Sequence, residues 1–149
     1  MRLFVDANVL VATLNREYPL FTWSSRLMSL QGTENIRLFT SPLSLSIAFY
    51  FAGKKSSEKV AREKMELLLR HIGVTSMDEE TTLQAIKNQR VHDFEYGMEY
   101  YAAIRYQCDY IITENQKDFY FSDIPVAGCE EFLKNFNQIK DKDEPRKTR

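Results

Sequence analysis

Apolar positions in this chain alternate between short continuous runs and helical spacing from one end to the other. Leu3-Phe4-Val5 is an apolar strand that delivers Asp6 where the chain passes into a helix over residues 9–14. A second helix opens near Pro19, carries Phe21, Trp23, Leu27, Met28 and Leu30, and stops at Gly32. Residues 37–40 read as a strand. Ser41-Pro42 then has the form of an N-cap followed by proline in the first helical position, where the missing amide costs nothing. The helix it opens, over 42–52, is apolar nearly all round, which predicts burial on several sides, with Gly53 as its stop.

Ser56 or Ser57 starts a helix in which Ala61, Met65, Leu68 and Ile72 recur at helical spacing, and Gly73 closes it. Val74-Thr75 is a short strand candidate, and Asp78 caps a helix carrying Leu83 and Ile86. Asp93 caps another helix over 94–106, with Phe94, Met98, Tyr101 and Ala102 on its apolar stripe and Glu95 in its first turn. Residues 109–113 form a buried strand of β-branched and aromatic residues, ending in a polar turn over 114–118. A short strand at 125–126 precedes Gly128 and a final helix from Cys129 through Leu133. Strands separated by helices throughout predict an α/β fold, a central parallel sheet with helices on both faces. Residues 1–140 make one domain, and the charged, proline-bearing stretch 141–149 reads as a mobile tail.

At 149 residues the chain is long enough for a real core without disulfide or metal staples. Its 20 basic and 21 acidic residues leave a net charge of -1, so it lacks the global positive field common in dedicated nucleic-acid binders. Any contact with nucleic acid is therefore local. Lys54, Lys55, Lys59 and Arg62 form the densest basic cluster, which is either a phosphate contact or, more commonly, a solvated helix face. Cys108 and Cys129 are too few for a metal knuckle and read as reduced structural thiols, and His71 and His92 have no companion at metal-ligand spacing. The opening apolar run is interrupted by Asp6 and Asn8, and no stretch approaches a membrane span, so a cytoplasmic protein without membrane contact is expected. Ten Phe and eight Tyr exceed what the core stripes need, which points to an apolar face for a homodimer.

Candidate chemistry lies at the strand ends. A carboxylate at the carboxyl end of a buried strand sits at the rim where open α/β sheets bind ligands, so Asp6 is either such a group or the cap of the helix that follows. The turn holding Asn115 and Asp118 is a second acidic strand end that could meet Asp6 across the rim, although Asp118 serves equally well as a turn-stabilising side chain. Magnesium takes one or two carboxylates and keeps several waters, so a cation held between them would activate water for attack on a phosphodiester. Gly53-Lys54-Lys55-Ser56 lacks the upstream glycine of a phosphate-binding loop.

The order of the pieces narrows these readings. Val5-Asp-Ala-Asn-Val-Leu10, Thr40-Ser-Pro-Leu-Ser44, Asp93-Phe-Glu-Tyr-Gly-Met-Glu-Tyr-Tyr-Ala102, Asp109-Tyr-Ile-Ile-Thr-Glu-Asn-Gln-Lys-Asp-Phe119 and Asp123-Ile-Pro-Val126 together resemble a PIN domain. The likeness runs from about Arg2 to Leu133. It implies a three-layer sandwich and a ribonuclease that cleaves single-stranded RNA with Mg2+ or Mn2+. For the VapC-like toxin branch it also implies an antitoxin that occludes the site, and commonly a dimer.

In that family acidic side chains from separated places converge on the metal. Asp6 matches the first of them, and Asp118 lies in the turn that carries the last. Asn115 stands nearest the usual acidic position there and still offers a neutral oxygen. Ile47 and Tyr96 occupy two positions where the family usually has a glutamate and an aspartate. Glu99, three residues beyond Tyr96 on the same helix face, is the substitute expected to reach back toward the rim, as metal ligand and catalytic group. Glu95 would need a helix rotation, and Asp93 would have to leave its cap. The expected site is thus Asp6, Asp118 and Glu99, with Asn115 assisting. The alternative is a catalytically degenerate PIN domain serving as an RNA-binding or protein-interaction module. Other sheet-rim enzymes fit worse: an aspartyl-phosphate phosphatase needs an aspartate where Asn8 stands, and the acid cluster and late lysine of a receiver domain are missing.

Overall fold

Strand β1 (Arg2–Val5) is buried on both sides of its pleat, with Leu3 and Val5 in one core cluster and Phe4 in the other. Such a strand belongs in the middle of a sheet covered on both faces. The computed structural model, which describes residues 1–33 and 35–143, places it there. Strands β2 (Arg37–Thr40) and β3 (Gly73–Val74) extend the sheet on one side, and β4 (Tyr110–Ile112) and β5 (Val126–Ala127) on the other. The order is β3-β2-β1-β4-β5 and every pairing is parallel.

Helices α1 (Ala7–Asn15), α2 (Leu20–Met28), α3 (Pro42–Lys55), α4 (Glu58–Leu69) and α7 (Cys129–Asp143) contribute to the cluster around Leu3 and Val5. Helix α6 (Phe94–Arg105) covers Phe4 and Ile111 on the opposite face, with α5 (Glu79–Lys87) packed against it. The three layers are those expected from the alternation of strands and helices.

The chain runs outward from β1 through β2 to β3, then returns across the sheet to β4 and β5. Its direction of travel reverses between β1 and β4. In open α/β sheets that switch point opens a crevice at the carboxyl ends of the strands, where ligands bind. Asp6 follows β1 directly at this crevice.

Several helix ends follow the expected caps. Ser41, Ser57 and Asp78 each accept a hydrogen bond from the amide three residues on, and Asp93 accepts from Glu95 N. Two glycines behave differently from expectation. Gly53 does not stop α3, which continues to Lys55, and Gly73 starts β3, where a Cβ would lie 2.7 Å from the Phe39 ring. Helix α3 is also not buried on several sides. Its buried residues are Ser44, Ala48 and Ala52, a small-residue stripe at four-residue spacing that lets the neighbouring α1 approach closely, while Tyr50 and Phe51 stay about half exposed.

Lys55 Nζ donates to the Asn15 carbonyl at the end of α1, and Arg62 pairs with Glu58, so the basic cluster is largely a solvated helix face with one capping contact. Both cysteines are free and buried, and burial pushes the Cys108 thiol up to about 12 and the Cys129 thiol further still. Residues 141–143 of the expected tail belong to α7, and 144–149 lie outside the described residues. Among the described residues no helix is long and apolar enough to cross a membrane.

Where α5 and α6 meet, Gly97 leaves no room for a methyl group: a Cβ there would sit 2.7 Å from Val91 Cγ1 and 3.2 Å from Ala85 Cβ. Gly97→Ala is expected to destabilise the fold by about 1–3 kcal/mol in urea unfolding, because the overpacked helix pair must move apart. A neutral or stabilising result would mean that the pair yields.

Candidate functional site

The sheet register assembles the site. Val5 pairs with Ile112, so the next residues, Asp6 and Thr113, stand side by side at the ends of adjacent strands. Phe4 pairs with Phe39, which carries Ser41 to the other flank of Asp6. The Asp6 carboxylate accepts from Ala7 N at 2.7 Å, from Thr113 Oγ1 at 2.8 Å and from Asn8 Nδ2 at 3.2 Å. It therefore both caps α1 and faces the crevice, which joins two readings that the sequence left as alternatives. Thr113 Oγ1 also accepts from Asn8 Nδ2 and Asn115 N, tying the turn after β4 to the end of β1. Burial raises the Asp6 pKa above the usual carboxylate value, against the pull of the Thr113 and Ala7 hydrogen bonds, and the charge of Asp118 pushes it the same way.

Glu99 is fully buried behind this edge, where α6 meets the start of α3. Ser41 Oγ lies 2.7 and 2.8 Å from its two carboxyl oxygens, and Ser44 Oγ donates to one of them at 3.1 Å. Both contacts run from the one Ser41 hydroxyl to the carboxyl group, a shared arrangement in which a single proton faces two oxygens. Burial, followed by the nearby Asp6 charge, pushes the Glu99 pKa up to about 8. Glu99 is thus close enough to Asp6 for the two charges to interact, but it does not line the cavity in front of Asp6.

That cavity, of about 420 Å³, has an acidic and polar floor of Asp6, Asn8, Glu95 and Asn115 and an apolar wall including Val11, Leu20, Ile47 and Phe51. Glu95 faces it without any rotation of α6. Burial raises the Glu95 pKa, as do the charges of Asp93 and Asp6. Tyr96 lies beside Glu95, its ring edge-on to Phe119 and its hydroxyl accepting from Asn115 Nδ2 at 3.4 Å. Burial first, together with the Asp118 and Asp6 charges, pushes this phenol up to about 12, so it is a neutral hydrogen-bonding group. Asp118 stands exposed at the rim, close enough for its charge to act on both Asp6 and Tyr96.

The structure therefore brings Asp6, Asn115 and Asp118 to one place, with Glu99 immediately behind them. Sequence reasoning passed over two participants. Helix phase argues against Glu95 in the sequence, although its place in the first turn of α6 puts it near the strand ends. Thr113 read as an ordinary β-branched strand residue, and nothing in the sequence marks its hydroxyl as the joint between the strands.

No salt bridge among the described residues involves Asp6, Glu95, Glu99 or Asp118, so the negative charge at the crevice has no protein cation beside it. Among the described residues no three His, Cys, Asp or Glu side chains are close enough to cage a metal. The oxygen donors fit a hard cation that uses one or two carboxylates and keeps its waters, which is how magnesium binds.

A parallel α/β sheet with acids gathered at its switch point defines a class of sheet-rim binding and catalytic domains. Within it, residues 2–117 match the PIN domain model, and the chain belongs to the PIN domain family. Its relatives lie on the VapC-like branch. It is 24% identical over 141 residues to Ribonuclease VapC1 of Aquifex aeolicus (strain VF5), covering 93% of this chain and 97% of that protein. Its fold matches VapBC-1 from nontypeable Haemophilus influenzae with a TM-score of 0.67 at 18% identity, over 88% of this chain and 100% of that one. The structure of VapBC2 from Rickettsia felis, bound to a DNA fragment from its promoter, matches with a TM-score of 0.66 at 15% identity, over 85% of this chain and 97% of that one.

Proposed function

We propose that this chain is a divalent-metal-dependent endoribonuclease that cleaves single-stranded RNA in the cytoplasm, and that it is the toxin of a toxin–antitoxin pair. The observation that carries the reading is the Asp6 carboxylate, buried at the switch point beside Glu95 and Asp118, none of which forms a salt bridge among the described residues. Asp6 and Asp118 would hold Mg2+ or Mn2+, with Asn115 offering a further, neutral oxygen. A cation bound there supplies activated water and offsets charge on the phosphate. Asn8 and Thr113 hold Asp6 in place, and Ile47 and Phe51 give the cavity an apolar side. The Tyr96 phenol offers a neutral hydrogen bond where the family usually has a charge.

Cleavage of a long mixed-sequence RNA with Mg2+ or Mn2+ tests the reading, with Asp6→Asn and a chelator as controls. Cleavage lost in both controls supports it. RNA bound but left intact under all conditions would favour a degenerate binding module, the reading that Ile47 and Tyr96 at two acidic positions suggest.

The solved structures of VapBC and FitAB that this fold matches support an antitoxin partner. Neighbouring, half-exposed Tyr50 and Phe51 on α3 support a homodimer. Sedimentation is expected to show a dimer at high concentration, and a monomer there would remove that assignment.

A further inference from the structure

Two exposed rings stand where the loop between α5 and α6 meets the turn after β4. His92 immediately precedes Asp93, the cap of α6, and Tyr120 follows Asp118 by two residues, so the two segments that flank the cavity contribute one ring each. The Tyr120 hydroxyl accepts from His92 N at 3.1 Å and donates to the Arg90 carbonyl, which pins the loop to the turn. The rings are stacked, with centroids 5.6 Å apart and planes 24° from parallel. Tyr120 is 53% exposed, His92 is exposed too, and Tyr120 is the only ring that His92 meets among the described residues.

A strut between loop and turn needs only the Tyr120 hydroxyl and the backbone at residues 90 and 92. It gives no reason for an exposed imidazole to lie nearly parallel to the phenol ring. An exposed, pre-ordered ring stack is a surface on which unpaired nucleobases stack, and histidine and tyrosine both serve. The acids beside the cavity repel phosphates, so affinity for an RNA strand at this rim has to come from its bases more than from its charge.

We propose that His92, backed by Tyr120, is a stacking platform that receives a nucleobase of single-stranded RNA beside the cavity. The identity of the ligand rests on the ribonuclease reading. The platform holds the strand and takes no part in the chemistry. Because every base has a π-face, it grips RNA with little regard to sequence.

The test measures binding by fluorescence anisotropy of two labelled probes of equal length, a mixed-sequence single-stranded RNA and a strand of abasic riboses. A chelator is present, so neither metal binding nor cleavage enters the readout. The native protein is expected to bind the intact RNA more tightly than the abasic strand. His92→Ala keeps the backbone N–H that Tyr120 accepts, so the loop stays pinned. This variant is expected to bind the intact RNA about five- to tenfold more weakly, the scale of one lost base–aromatic stack, and the abasic strand unchanged. His92→Phe restores a π-face without the imidazole nitrogens and is expected to stay within about twofold of the native protein. The proposal is overturned by a native protein indifferent to bases, by no loss in His92→Ala, by equal losses on both probes, or by a loss in His92→Phe as large as in His92→Ala.

Cleavage with Mg2+ or Mn2+ judges the ribonuclease reading separately. RNA cleaved by a native protein whose binding His92→Ala leaves unchanged overturns the platform alone. Base-dependent binding that His92→Ala removes, in a protein that cleaves nothing, supports the platform and overturns the nuclease.

Discussion

Asp6→Asn is expected to lower RNA cleavage by at least about 100-fold while leaving the fold intact, the scale on which removal of one preorganised electrostatic group acts. The two halves of that expectation have separate physical origins. Asparagine is about as good an N-cap as aspartate, so its oxygen can keep the Ala7 N–H bond that starts α1. The new amide meets the Thr113 hydroxyl, which already accepts from Asn8 Nδ2 and Asn115 N, so the folded state is kept at a modest cost in stability. The substitution also removes a buried carboxylate that burial already disfavours, so no stability is lost on that account. What it does remove is the formal charge at the switch point. Ile47 and Tyr96 supply none, and Glu99 is enclosed by serines and does not line the cavity, so few groups are left to compensate. Cleavage at the native rate by a folded Asp6→Asn protein would contradict the assignment; cleavage lost together with the circular dichroism signal would point to a structural role.

The architecture was legible because the signals that fix it are local. Strand β2 and the Ser41-Pro42 start of α3 follow from an apolar run and a cap written in adjacent residues. The misreadings arose where tertiary packing outweighs a local rule. Gly53 lies inside α3 because that end of the helix is held by its neighbours α1 and α4, and Gly73 is a glycine because Phe39 passes over it. Apolar residues all round α3 predict a buried helix, yet only the small stripe at Ser44, Ala48 and Ala52 is fully buried. The site divides in the same way. Asp6 and the Asn115 to Asp118 turn are visible as strand ends in a parallel fold. The seat of Glu99 is not visible, because Ser41 and Ser44 reach it across 58 and 55 residues of sequence, and no periodicity carries information over that distance.

Stability of the metal-free protein is expected to fall as pH rises from about 5 to about 8.5, by a few kcal/mol at ~1.4 kcal/mol per unit of pKa shift. Glu99 is the main cause. Its pKa is about 8 in the folded protein against an ordinary value of 4.5, because burial and the Asp6 charge disfavour the ionised form. Between those values the folded chain keeps a proton that the unfolded chain releases, so unfolding becomes easier with each increment of pH. The contribution is fully present below 4.5 and lost as pH passes about 8. Asp6, whose pKa is also raised, acts with the same sign from a lower starting pH. Urea unfolding across this range is expected to show the decline in the native protein and a much flatter profile in Glu99→Gln, which presents the serines with a permanently neutral partner. The gap between the two is expected to widen toward alkaline pH, with the variant the more stable there. Equal slopes would place the proton elsewhere. The Ser41 contacts with both carboxyl oxygens would then be those of an ionised group, and the charge enclosed behind Asp6 would be greater by one.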